Sequence, residues 1–176
     1  FFSPLTHGQQ ITLVTTLQDS IQETSGLIYL SGKLITHNDS GGEPILYELD
    51  SISGDVTRSV IIENATNVDW EDIAIDDNYL YLADTGNNAN NRRDLAIYLI
   101  SEIDPTASTR SAVIQRLPVV YPEQTEFPAS VKHFDSESLF VFNDALYLIT
   151  KHRGGGVMGT DFEPGANLYR LDTRFT

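Results

Sequence analysis

Three segments of the chain align with one another without gaps: ETSGLIYLSGKLIT beginning at Glu23, DWEDIAIDDNYLYL at Asp69 and DSESLFVFNDALYL at Asp135. Each opens on an acid, runs through alternating apolar positions, turns at a polar pair and continues into a second apolar run. Leu27, Ile73 and Leu139 match, as do Leu34, Leu80 and Leu146, and Ile35, Tyr81 and Tyr147. The turns fall at Ser31-Gly32, Asp77-Asn78 and Asn143-Asp144. A two-residue polar turn between β-prone runs is the signature of a hairpin. A third run follows each hairpin as apolar-Tyr-x-apolar, at Leu46 to Leu49, Ile97 to Ile100 and Leu168 to Leu171. In the first unit Val56 to Ile62 supplies a fourth. The repeated element is therefore an antiparallel meander.

The interval from Glu23 to Asp69 is 46 residues, the length of one four-stranded propeller blade. The interval from Asp69 to Asp135 is 66, with the extra residues expected at Asn87 to Asp94, Asp104 to Arg110 and Tyr121 to Phe134. The fold class expected is all-β: a β-propeller of four-stranded antiparallel blades, about three of them in this chain. Residues 1–176 form a single domain with blade starts near Glu23, Asp69 and Asp135. Ile11 to Leu17 (ITLVTTL) reads as one further strand. Closed propellers have four to eight blades, so the expectation is part of a larger ring, completed by additional blades from the same or another chain.

In a meander, the loop entering the first strand and the loop leaving the second lie on the same side. Glu23, Asp69, Glu71, Asp135 and Glu137 are thus expected to share one face with His37-Asn38-Asp39, Asp84 to Asn88 and Lys151-His152-Arg153. Converging carboxylate and amide oxygens suit a hard cation such as Ca²⁺, and the metal ligands expected are Glu23, Asn38, Asp69, Glu71, Asp84 and Glu137. The competing reading makes these acids acceptors for backbone N–H groups that hold neighbouring blades in register. Asp84 to Asn91 lacks the spacing of an EF-hand loop and reads as a turn-rich surface loop. Trp70, the only tryptophan, is expected to pack between blades rather than to stack a ligand. Glu71 with Glu137 is the one acid pair placed for glycoside chemistry, since Glu71 and Asp72 point to opposite faces of a strand. His37, His133 and His152 show no zinc spacing, and Gly154-Gly155-Gly156 lacks the Lys-Ser/Thr of a phosphate loop.

The balance of 11 Lys and Arg against 25 Asp and Glu gives a formal charge of −14, which repels phosphate backbones and anionic lipid. Nucleic acid is not an expected partner, and no apolar run is long enough to span a membrane. With no cysteine, disulfides and thiolate metal sites are excluded. Phe1-Phe2-Ser3-Pro4 does not read as a signal peptide.

The stretches THNDSGG, NVDWEDIA, LADTGNN followed by RRDLAIY, and FDSESLFVFNDALYLITK resemble a group of largely uncharacterised bacterial exported β-propeller proteins with a DWEDIA segment. The resemblance runs from about Glu23 to Leu171 and implies a propeller in an exported protein, periplasmic, cell-surface or extracellular. More distantly, the architecture is similar to six-bladed lactonase and gluconolactonase-like propellers, in which Glu, Asn and Asp near the top of the channel hold a divalent cation. The function expected is an exported binding module taking a small molecule or protein at its acidic top face, with a calcium ion in support. Its rivals are a metal-dependent hydrolase of lactonase or phosphoesterase type, with Glu23, Glu71, Asp84 and Glu137 as ligands, and a scaffold domain for protein-protein contacts.

Overall fold

The computed structural model describes residues 11–100, 109–154 and 162–172. Among them the regular structure is entirely β. Eleven strands run β1 (Thr24–Leu30), β2 (Lys33–Asn38), β3 (Ile45–Asp50), β4 (Val56–Glu63), β5 (Trp70–Ile75), β6 (Leu80–Asp84), β7 (Ala96–Ile100), β8 (Arg110–Pro118), β9 (Lys132–Phe142), β10 (Ala145–Arg153) and β11 (Phe162–Asp172). No described helix is long and apolar enough to cross a membrane.

Each aligned segment forms an antiparallel pair of strands, β1 with β2, β5 with β6 and β9 with β10. The polar pairs make the turns. Ser31 and Gly32, like Asn143 and Asp144, have positive φ, the conformation that a tight hairpin requires. β3 and β4 extend the first pair, β7 and β8 the second, and β11 the third. The first two meanders are joined at their outer strands by a short parallel contact, Ile61 to Glu63 on β4 against Arg110 to Ala112 on β8. The expected insertion at 87–94 falls between β6 and β7, that at 121–134 follows β8 and runs into the start of β9, and most of that at 104–110 lies outside the described residues.

The units pack face to face. On β6, Leu80 and Leu82 point into one apolar cluster while Tyr81 and Ala83 point into another. On β7 the same alternation sends Tyr98 and Ile100 to the first cluster and Ile97 and Leu99 to the second. The first cluster joins these residues to Ile35, Leu46, Val60 and Ile62 of the first unit, and the second joins them to Phe134, Leu139, Leu146 and Leu148 of the third. Burial on both faces explains why β6 and β7 read as nearly continuous apolar runs. Trp70 is fully buried in the first cluster, its indole Nε1 donating to the Thr66 carbonyl at 3.0 Å and the His37 ring meeting it edge-on.

One expected element is different. Residues 11–17 form no strand, and Ile11 is 97% exposed. Strand propensity needs a neighbouring edge to supply hydrogen bonds, and this run instead lies over Gly54, where Thr15 approaches closely and Leu17 packs beside Tyr47 and Leu49.

The first strands of successive units lie side by side, β1 against β5 and β5 against β9. Gly26 permits the first of these approaches: its φ is +57°, and a Cβ there would sit 2.9 Å from the Ile73 amide nitrogen and 2.8 Å from His37 Nε2. Gly26→Ala is expected to cost about 2–4 kcal/mol, from the left-handed backbone and the collision together. Gly32→Ala has an equally positive φ but open space around it, and should cost only about 1 kcal/mol. Urea midpoints of the two variants test the comparison.

Candidate functional site

The aligned acids meet where the first strands begin. Asp69 is brought there by backbone contacts on three sides. Its N–H donates to Asp84 Oδ1 at 3.0 Å, its carbonyl accepts from Gly86 N–H at 3.1 Å, and it forms an isolated antiparallel bridge with Ser40. That bridge sets Asp39 beside it. Asp39 is itself anchored by its N–H donating to the Glu23 carbonyl at 3.1 Å. The third unit delivers Asp135 and Glu137 from β9.

Two overlapping groups result. One oxygen from each of Asp39, Asp69 and Glu71 lies within 4.8 Å of the others, and the same holds for Glu71, Asp135 and Glu137. A separation of 4.8 Å is about twice a Ca–O distance, so one ion could touch all members of either group. Glu71 belongs to both. It is only 8% exposed, and among the described residues no cation or hydrogen-bond donor meets its carboxylate. Gly86 leaves the space beside it, since a Cβ there would overlap both Asp69 and the Glu71 carboxylate.

The second group is already neutralised in part. Lys151 Nζ contacts Glu137 Oε1 and lies 3.9 Å from Asp135, while Arg153 Nε pairs with Asp135. Among the described residues no cation is ion-paired with the first group: Lys151 acts on Asp39 through its charge alone, and Arg92, which influences Asp69, is paired with Asp84 at 3.0 Å and Asp94 at 3.1 Å. The protonation equilibria follow. Burial, then the charges of Glu137 and Asp39, push Glu71 up to about 9. Burial and Asp39 push Asp69 up to about 6. Burial, then Glu23, raises Asp39, and burial raises Glu137 against the opposing pull of Lys151.

Of the ligands expected from sequence, Asp69, Glu71 and Glu137 come together here. Glu23 is exposed, near enough to Asp39 to raise its pKa. The Asn38 amide is engaged elsewhere, accepting from Gln22 N–H and donating to the Ser20 carbonyl, both at 3.0 Å. Asp84 is held by Arg92 and by the Asp69 N–H. Asp39 and Asp135 were not among the expected ligands. Asp135 opens its segment as Asp69 does, which is the signal that could have included it. Asp39 lies outside the aligned segments; the sequence placed it on the same face, and the Ser40–Asp69 bridge sets it beside Asp69.

The Asp84 to Asn91 loop is not the surface loop expected. Asp84, Thr85, Asn87 and Asn90 are buried, and the side chains of Asn87 and Asn90 tie the second unit to the third. Asn87 donates its N–H to Asp135 Oδ1 at 2.5 Å and its amide to the Phe134 carbonyl at 3.0 Å, and Asn90 Oδ1 accepts the Phe134 N–H at 2.8 Å. Of the acid pair placed for glycoside chemistry, Glu137 is occupied by Lys151.

Comparison with known proteins adds little to this geometry. No family model matches the chain, and no curated protein does. A solved structure of Kuenenia stuttgartiensis hydrazine synthase aligns with 81% of this chain at 10% identity and a TM-score of 0.45. The chain spans 36% of that protein's length.

In chelated protein, Glu71 keeps a proton in the folded state that the unfolded chain releases near pH 4.5. Stability is therefore expected to fall as pH rises from about 5 towards 9, the window between the unfolded and folded values. Glu71→Gln should flatten that slope and raise the melting midpoint at about pH 8.5, as measured by thermal melts across the range in chelator.

Proposed function

We propose that this chain is part of an exported β-propeller that binds a divalent cation, Ca²⁺ by its ligand chemistry, in the carboxylate pit between its first strands, and that the cation-loaded face recognises a ligand. The propeller reading is supported by three successive meanders whose first strands lie side by side, β1 against β5 and β5 against β9. Export is supported by the resemblance of the DWEDIA segment and its companions. The observation that carries the cation is Glu71, a residue only 8% exposed whose carboxylate has no donor or cation against it among the described residues. A buried charge in that condition is costly, and a hard cation shared with Asp39 and Asp69 removes the cost.

Binding is favoured over hydrolysis by the state of the other residues. A metal-dependent hydrolase built on Glu23, Glu71, Asp84 and Glu137 needs those oxygens free for the ion. Asp84 is committed to Arg92 and Glu137 to Lys151. The three carboxylates of the first group, Asp39, Asp69 and Glu71, suit an ion that holds the structure beside a ligand.

A ligand bound only by the folded state raises its melting midpoint by mass action. Chelator-stripped protein is expected to melt about 5–10 °C higher in Ca²⁺ at a hundredfold excess over Kd. Asp69→Asn should lose most of that shift. An unchanged midpoint of the wild-type chain in millimolar Ca²⁺ would remove the cation from this reading.

A further inference from the structure

Two acids of the first group recur one unit on in the second, Asp69 and Glu71 as Asp135 and Glu137. Strand register establishes the correspondence: Thr24 pairs with Asn38, Trp70 with Asp84 and Ser136 with Thr150. The residues that follow these partners on β2, β6 and β10 are then equivalent, so Asp39 of the first unit, Thr85 of the second and Lys151 of the third occupy one position. The first group combines that position in the first unit with Asp69 and Glu71 of the second. One unit on, the same construction gives Thr85 with Asp135 and Glu137 of the third. Thr85 is completely buried and its Oγ1 has no hydrogen-bond partner among the described residues.

What distinguishes the second group is the cation that the chain itself provides. Lys151 pairs across the strands with Asp135, and its ammonium lies against Glu137 Oε1 and 3.9 Å from Asp135 Oδ2. We infer that Lys151 is a tethered substitute for a second metal ion, so that the pit takes one divalent cation rather than two. The inference rests on the cation reading above.

Charge counting gives the reason. Asp39, Asp69, Glu71, Asp135 and Glu137 bring five negative charges, and Lys151 and Arg153 return two. One divalent ion leaves a single negative charge in the pit. A second would overshoot to net positive while facing an ammonium at the same oxygens. Without Lys151, two divalent ions balance the five acids and Arg153 to zero. Glu71, common to both groups, would then bridge them.

The test counts calcium ions per chain by native mass spectrometry and calorimetric titration, on wild-type protein and on Lys151→Met and Lys151→Thr. The second substitution copies the residue that the second unit carries at this position. One ion on the wild-type chain and two on the variants is the expected result, with the variants gaining a larger calcium-induced rise in melting midpoint. Two ions on the wild-type chain overturn the role of Lys151 and leave the cation reading standing. One ion on wild type and variants alike has the same consequence. Failure of both variants to fold even in millimolar calcium also overturns that role, because the ion would then not replace the ammonium. No ion on the wild-type chain ends both readings together.

Discussion

The geometry of the pit depends on how closely the first strands of neighbouring units approach. Asp72 fixes one junction: its Oδ2 accepts the Leu139 N–H of β9 at 2.7 Å while its Oδ1 accepts the Ile73 N–H at 2.8 Å. Ser25 fixes the other, its hydroxyl donating to the Glu71 carbonyl at 2.6 Å. Neither junction is a regular ladder, so a few side-chain bonds between sheets set the relative height of the strands. That height decides which acids face one another. A slip of one residue would exchange Glu71 for its neighbours, because adjacent strand residues point to opposite faces.

The same junctions show why the fold can hold so many acids together. Asp72 keeps its charge useful by accepting two backbone N–H groups, and Asp84 does so by accepting one and pairing with Arg92. Asp135 accepts the Asn87 N–H and pairs with Arg153. Asp72 and Asp135 link one unit to the next and Asp84 braces its own, each with partners inside the protein. Glu71 is the exception. It sits at the centre of the cluster, is the most strongly perturbed of these carboxylates, and its backbone rather than its side chain takes part in the junction. Of the two readings of these acids, hydrogen bonding at the junctions is seen at Asp72 and Asp135, and the proposed cation site is left to Glu71 and its neighbours.

Strand content, hairpin turns and the limits of the meanders were legible in the sequence because they depend on local rules. Alternation of apolar residues gives strands, and Ser31-Gly32 and Asn143-Asp144 tolerate positive φ. The burial of Trp70 was legible too, since a ring of that size at a strand start has no cheaper location. The 11–17 run was misread for the converse reason: its propensity is that of a strand, but no edge lies where it runs. The Asp84 to Asn91 loop was misread because glycine and asparagine serve equally in exposed turns and in buried loops whose side chains replace a ladder.

Sequence alone determined that acids recur at a fixed position in each unit and that they share the side of the meander bearing His37 to Asp39 and Lys151 to Arg153. It did not determine which would stand free. Asn38, Asp84 and Glu137 looked equivalent to Asp69 and Glu71 as oxygen donors, and tertiary contacts with Ser20, Arg92 and Lys151 separated them. Asp39 entered the group only through the Ser40–Asp69 bridge. The physical reason is range. Strand periodicity and turn chemistry act over a few residues and are written in neighbouring positions. Charge compensation acts through space: Lys151 reaches Glu137 across the β9–β10 pair and Arg92 folds back onto Asp84, and neither contact is written in strand periodicity or turn chemistry.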